Sequence, residues 1–210
     1  MARAEQQELR FPNTWGGRRL GAGRPKGAGR CSALHPHTAR PAVSRHRPIH
    51  VTVRSCRGTW NLRSQRCLTP VARALRLVRD RADFRVVHFS VQHDHLHLIV
   101  EADHRRALSN GLRALLSRAA RGLNRVMQAR GRRFADRHHE HALATPTEVR
   151  NALRYVLGNR ASHRARRGLP VDHAGVDPFS SLAVPVVAAP GSWLLRLGST
   201  GVAPPREHLE

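Results

Sequence analysis

Apolar and polar positions keep no regular period over the first 49 residues, then fall into seven successive patterns. Ile49 to Ser55 sets Val51 and Val53 against Thr52 and Arg54, the alternation of a half-buried strand. Thr69-Pro70 reads as an N-cap followed by proline at the first helical position. Val71, Leu75 and Val78 then give that helix one apolar face through about Ala82. Phe84 to Gln92, rich in β-branched and aromatic residues, predicts a second strand. His93-Asp94 makes a tight connection to a third strand, His95 to Glu101. From about Arg105 to Arg130, Leu108, Leu112, Leu115, Ala119, Leu123 and Val126 recur every three or four residues, as in a long amphipathic helix. Arg133 to Ala144 is read as a fourth strand. Thr145-Pro146-Thr147-Glu148 opens a last helix, capped by Thr145 or Thr147 and running toward Arg164.

That order predicts an α+β fold. Its first six elements match a ferredoxin-like split βαβ sandwich, a four-stranded antiparallel sheet with helices on it, to which the last helix is appended. Residues 1–49 read as a Gly/Arg-rich arm that cannot bury enough apolar surface to offset its ordering entropy, and are expected to be disordered when free. Residues 50–168 form the folded domain. After Leu169 the pattern dissolves into an irregular tail through 210, with short apolar pieces at Leu182 to Ala189 and Trp193 to Leu197.

Charge sharpens the picture. Thirty-seven basic residues against 14 acidic ones leave +23 before any histidine is protonated. Self-repulsion on that scale opposes compactness unless a polyanion shares it, and each phosphate neutralised releases a condensed counterion. Nucleic acid is therefore the expected partner. Only Lys26 is a lysine, so coding bias can account for the choice of arginine, but not for the excess over acids. In the arm, Arg18, Arg19, Arg24 and Lys26 would carry the contact. Gly23-Arg24-Pro25 resembles an AT-hook lying in a narrow minor groove, although a solvated arm gripping phosphates fits as well. On the long helix Arg106, Arg113 and Arg121 share a polar face with Asn110, Ser117 and Asn124, either merely solvated or laid on DNA. Cys31, Cys56 and Cys67 make no C-x-x-C pair, which argues against a zinc module or a disulfide framework. Met1 to Arg10 holds no apolar signal core, and no stretch nears the roughly 18 apolar residues of a membrane span, so an intracellular, soluble protein is expected.

The densest chemistry lies in Gln92-His93-Asp94-His95-Leu96-His97. Alternate side chains of a strand share a face, so His95 and His97 project together, about 7 Å apart along the strand, while Leu96, Leu98 and Val100 point away. Two imidazoles so placed can grip one divalent cation, though such pairs also arise by chance among 15 histidines. Tyr155 is the protein's only tyrosine. If its helix continues past Gly158, Tyr155 and Asn159 lie one turn apart on one face, offset from the apolar Val149, Ala152, Leu153 and Val156. The plainer alternative is a packing tyrosine, with Asn159 ending the helix after Gly158.

Three motifs, in order, resemble the REP-associated tyrosine transposases, a branch of the HUH single-tyrosine transposase family. They are His95-Leu96-His97-Leu98-Ile99-Val100-Glu101-Ala102, Phe134-Ala135-Asp136-Arg137, and Glu148 to Leu157 around Tyr155. The resemblance spans about His50 to Arg167 and makes 50–168 the catalytic domain. It implies that His95 and His97 hold Mg²⁺ or Mn²⁺ with Asn159 as a third ligand, and that Tyr155 is the nucleophile. The substrate would be single-stranded DNA folded into a short hairpin, cut to a 5′-phosphotyrosine and rejoined, in a cytoplasmic, nucleoid-associated setting. Whether the tyrosine helix serves its own subunit or a homodimer partner's stays open. The chain departs from the family at Asp94, where relatives carry asparagine, and at His138, where a second tyrosine is usual. Its tail begins with the familiar Val176-Asp177-Pro178-Phe179-Ser180-Ser181 and then loses the pattern. Two other readings compete: a hairpin-binding relative that no longer cuts DNA, and a histidine-triad nucleotide hydrolase built on His93, His95 and His97.

Overall fold

The computed structural model describes residues 40–135, 138–166 and 176–200, with backbone alone for 159–166. Four strands, β1 (Ile49–Arg54), β2 (Phe84–Val91), β3 (His95–Ala102) and β4 (His139–Ala142), form one antiparallel sheet in the order β2-β3-β1-β4. With α1 (Gln65–Arg76), α2 (Arg105–Val126) and α3 (Pro146–Arg166), this is the expected ferredoxin-like α+β fold with an appended helix.

The alternation in the strands sorts the two faces. Ile49, Val51 and Val53 of β1 join Leu96, Leu98 and Val100 of β3 beneath α1 and α2, in a core that includes Phe89, Val71, Leu75, Leu108, Leu112 and Leu115. The opposite face is apolar only at one end. There Ile99 and Val87 meet Val149, Leu153 and Val156 of α3 and Leu194 and Leu195 of α4 (Trp193–Ser199). Val87 reaches that face because a bulge shifts the β2 register between Val86 and His88. The rest of this face is polar and carries the histidines.

Several boundaries differ from the sequence expectation. Helix α1 starts not at Thr69-Pro70 but at Gln65, capped by Ser64, whose hydroxyl accepts from the Cys67 amide. Pro70 is thus inside the helix, where it cannot donate to the preceding turn. Its ring lies where α1 crosses α2 so closely that a Cβ on Gly122 would sit 2.5 Å from Pro70 Cβ. Thr69 donates its hydroxyl to the Gln65 carbonyl (3.0 Å) instead of capping. The helix ends at Arg76, short of Ala82. Helix α2 ends at Val126 rather than Arg130, because Gln128 turns left-handed (φ 49°) just beyond Met127. Asn124, grouped with the polar face, is structural: its side-chain amide donates to the Gly131 carbonyl (2.8 Å) and its oxygen accepts from Arg133. Strand β4 is only His139–Ala142; upstream, Phe134 makes an isolated bridge to Ser55 instead. Helix α3 starts as expected: Glu148 N donates to Thr145 Oγ1 (3.2 Å), and Glu148 Oε2 accepts from the Ala144 amide (2.6 Å).

The segment expected to be an irregular tail is built into the fold over its described part. Phe179 O accepts from Val91 N (2.8 Å), Ser181 N donates to Phe89 O (3.0 Å) and Ala188 N donates to Val86 O (2.9 Å), so residues 179–188 run along the outer edge of β2. Buried Glu101 then accepts from Gly191 N (2.8 Å) and Ser192 N (2.7 Å), and Ser192 caps α4. Backbone pairing needs no hydrophobic period, which is why the sequence pattern missed it.

Helix α2 meets the sheet at Gly111, where an added methyl carbon would lie 2.2 Å from Cγ of fully buried Phe84. Gly111→Ala gains at most about 1 kcal/mol of helix propensity against about 1–3 kcal/mol or more for overpacking. The variant is expected to melt several degrees lower, and an unchanged or higher Tm would contradict this packing.

Candidate functional site

The polar end of the α3 face assembles from three strands and one helix. Thr52 pairs with His97 and Arg54 with His95 across β1 and β3, while His50 and Thr52 pair with His141 and His139 across β1 and β4. Alternation then projects His50, Thr52 and Arg54 toward the same side as His95 and His97. Above them stands Tyr155, whose helix packs by Val149, Leu153 and Val156 and leaves the tyrosine 49% exposed. The ring centroid lies 5.0 Å from that of His97 and 5.9 Å from that of His50, both edge-on.

The hydrogen bonds orient both members of the pair. His95 Nδ1 is 2.7 Å from Asp94 Oδ1, a bond in which the carboxylate can only accept. His97 Nδ1 is 3.1 Å from Thr52 Oγ1 and 3.2 Å from His50 Nε2. With a proton on each Nδ1, each Nε2 carries a lone pair, and these two nitrogens face one another at 3.0 Å. In that tautomer a cation or a shared proton joins the two lone pairs; with the Thr52 hydroxyl donating to His97 Nδ1 instead, His97 Nε2–H donates to His95 Nε2. Metal–nitrogen bonds of about 2.1 Å meeting at about 90° span about 3.0 Å, so the pair fits two neighbouring corners of an octahedral ion. Among the described residues no group of three or more His, Cys, Asp or Glu side chains is arranged to hold a metal.

Asp94 sits behind His95 on Nδ1, where it orients the ring. Partial burial works to raise its carboxyl, but the hydrogen bond and charge of His95 together with the Arg54 charge outweigh it and hold the group below its usual range. His50 is pushed down to about 4 by burial first, and then by the neighbouring His139 and His141. It is a neutral neighbour of His97 near pH 7.

His138 is also lowered to about 4, by burial and then by the Arg40 charge, partly offset by Glu140. Burial likewise lowers His88. Each of these histidines takes up protons more readily unfolded than folded, so stability is complete above about pH 6.5 and falls as the pH drops toward 4. Asp94 and Glu140, both held low, extend the loss below that range. Tm is therefore expected to fall steadily from pH 7 to pH 4, and His138→Gln to flatten the slope; an equal slope in that variant would contradict the assignment.

The structure brings His95, His97 and Tyr155 together, and the α3 backbone continues past Gly158, placing position 159 one turn beyond Tyr155. The Asn159 side chain lies outside the described residues, as do Arg18, Arg19, Arg24 and Lys26. Arg106, Arg113 and Arg121 are exposed on α2, across the sheet from the histidine pair. His93 is exposed in the turn before β3, off the strand that carries the pair. The sequence reading missed His50, Thr52 and Arg54; their signal was the polar half of the β1 alternation, which acquires meaning only through the register with β3.

No protein-family model matches this chain, and no curated protein matches it either. Among the described residues, no helix is long and apolar enough to cross a membrane. The solved structure of a REP-associated tyrosine transposase bound to a REP hairpin is similar, with a TM-score of 0.51 at 17% identity over 70% of this chain and 82% of that one. At that identity the likeness is one of fold, and it is the fold on which this chain's histidine pair and tyrosine are mounted.

Proposed function

We propose that this chain is a metal-dependent single-tyrosine strand transferase that cuts and rejoins single-stranded, hairpin-forming DNA within a domain spanning 50–168. The observation that carries the reading is the half-exposed Tyr155, its ring 5.0 Å from His97, whose Nε2 faces that of His95 at 3.0 Å. His95 and His97 would hold Mg²⁺ or Mn²⁺, with the Asn159 carboxamide completing the protein's share of ligands. A divalent cation held by these residues would supply Lewis-acid chemistry, polarising the scissile phosphate and stabilising the charge that develops on its oxygens. Tyr155 Oη attacks phosphorus, the bond to the 3′ oxygen breaks, and the products are a 5′-phosphotyrosine and a free 3′-hydroxyl. Attack by a DNA 3′-hydroxyl on the phosphotyrosine restores the tyrosine and joins the strands. Asp94 and Thr52 hold the two rings, and Arg54, cross-strand from His95, supplies positive charge beside the phosphate. The hairpin-bound state of the similar structure and the +23 charge both support a DNA partner.

The test is incubation of the protein with labelled hairpin oligonucleotides drawn from sequence flanking its own gene, in Mn²⁺, Mg²⁺ or EDTA. A metal-dependent, denaturation-resistant adduct is expected. Hairpin binding with no adduct in any metal would overturn the catalytic reading in favour of a hairpin-binding protein.

A further inference from the structure

The loop between β1 and α1 carries a tryptophan that the core does not use. Trp60 is 44% exposed, yet its loop is pinned on both sides. Ser55 N donates to Asp94 O (2.7 Å) and Leu62 N donates to His93 O (2.9 Å), so the loop hangs from the two residues that precede His95. Cys56 N and the Thr59 hydroxyl both donate to Arg133 O (2.9 and 3.4 Å), and Leu62 is fully buried. Arg63, next in the chain, grips Asp177 with both terminal nitrogens (3.0 and 2.7 Å), donates to Val91 O (2.9 Å) and lies 4.7 Å over the Phe179 ring. Exposure of a large indole on so rigid a loop is not explained by packing.

The surroundings say what it meets. The Arg66 guanidinium lies over the Trp60 ring at 5.3 Å, which leaves the indole's other face for a second planar group. Arg54, Arg57 and Arg66 are exposed around the loop, and residues 49–79 contain no aspartate or glutamate. The first turn of α1 holds no acid to offset the positive end of its dipole. A flat aromatic face ringed by arginines, beside a helix N-terminus, is complementary to a base with its phosphate. We propose that Trp60 is a stacking platform for an unpaired base of the single-stranded DNA flanking the scissile phosphate, backed by Arg66. The inference rests on the strand-transferase reading and deepens it by giving the flanking strand its path, along the β1–α1 loop.

The experiment compares the full chain with Trp60→Ala, Trp60→Phe and Trp193→Ala, the last removing an exposed tryptophan near the other end of β3. Probes are hairpin oligonucleotides with a single-stranded flank carrying 2-aminopurine at successive positions, and the same hairpin made blunt. Trp60→Ala is expected to weaken binding of the flanked hairpin by about 5- to 150-fold, with an unchanged salt dependence and unchanged affinity for the blunt hairpin. Fluorescence should be quenched at one flank position in the parent, Trp60→Phe and Trp193→Ala, and restored only in Trp60→Ala. Parent-like binding and quenching in Trp60→Ala, or equal loss on flanked and blunt hairpins, overturns the platform. A Tyr155-dependent adduct alongside that result leaves the transferase reading standing; position-specific quenching with no adduct leaves the platform standing and removes the chemistry.

Discussion

Tyr155→Phe is expected to abolish the covalent protein–DNA adduct in every metal, a loss of at least about a thousandfold, while hairpin affinity stays within about threefold of the parent. The split follows from where the hydroxyl sits. The tyrosine is half exposed and the helix is held by Val149, Leu153 and Val156, so removing one oxygen disturbs no packing. What disappears is the atom proposed to form the bond to phosphorus. His97→Gln should give the same loss of adduct by a different route, leaving the tyrosine in place but removing one of the two facing nitrogens. If Tyr155→Phe still forms an adduct, another nucleophile is at work. If both variants match the parent because the parent forms none, the fold serves binding alone.

The largest stability effect is expected at Arg63. Its guanidinium is the ionic partner of Asp177, whose side chain is almost entirely enclosed. Arg63→Ala leaves that carboxylate buried, with only the Phe179 amide still donating to it among the described contacts. Loss of one partner of a buried pair costs about 3–5 kcal/mol, or about 6–20 °C in Tm for a chain of this size. The double variant Arg63→Ala with Asp177→Asn should recover part of that loss, since no uncompensated charge remains. A Tm within about 2 °C of the parent in the single variant would show that the pair is not the anchor. The consequence reaches the histidine pair, because the loop released by Arg63 bonds the carbonyls of His93 and Asp94.

How far the molecule could be read from its chain depends on which interactions write a pattern. Val51 and Val53 against Thr52 and Arg54, and Leu96 and Leu98 against His95 and His97, announced two strands and their polar face, because burial on one side enforces alternation. Thr145 and Glu148 announced α3, because capping chemistry is local. The start of α1 was not legible: Ser64 and Thr69-Pro70 are both credible beginnings, and the close crossing at Gly122 belongs to another element. Of the candidate site, His95, His97 and Tyr155 were legible as residue types at strand and helix spacing. His50 and Thr52 became visible only once β1 was laid against β3, since their role is to occupy the far side of the His97 ring.

The run of backbone bonds from residues 179–188 to β2 also has a bearing on biosynthesis. Strand β2 is finished long before the residues that cover it leave the ribosome, so for that interval the nascent domain presents an unpaired row of amides and carbonyls with Phe89 and Val91 beside it. A chain interrupted before residue 176 would keep the histidine pair and the tyrosine but carry a permanently bare edge. It is then expected to accumulate as aggregate rather than as a shortened soluble domain, which gives residues 179–188 a part in keeping the fold in solution.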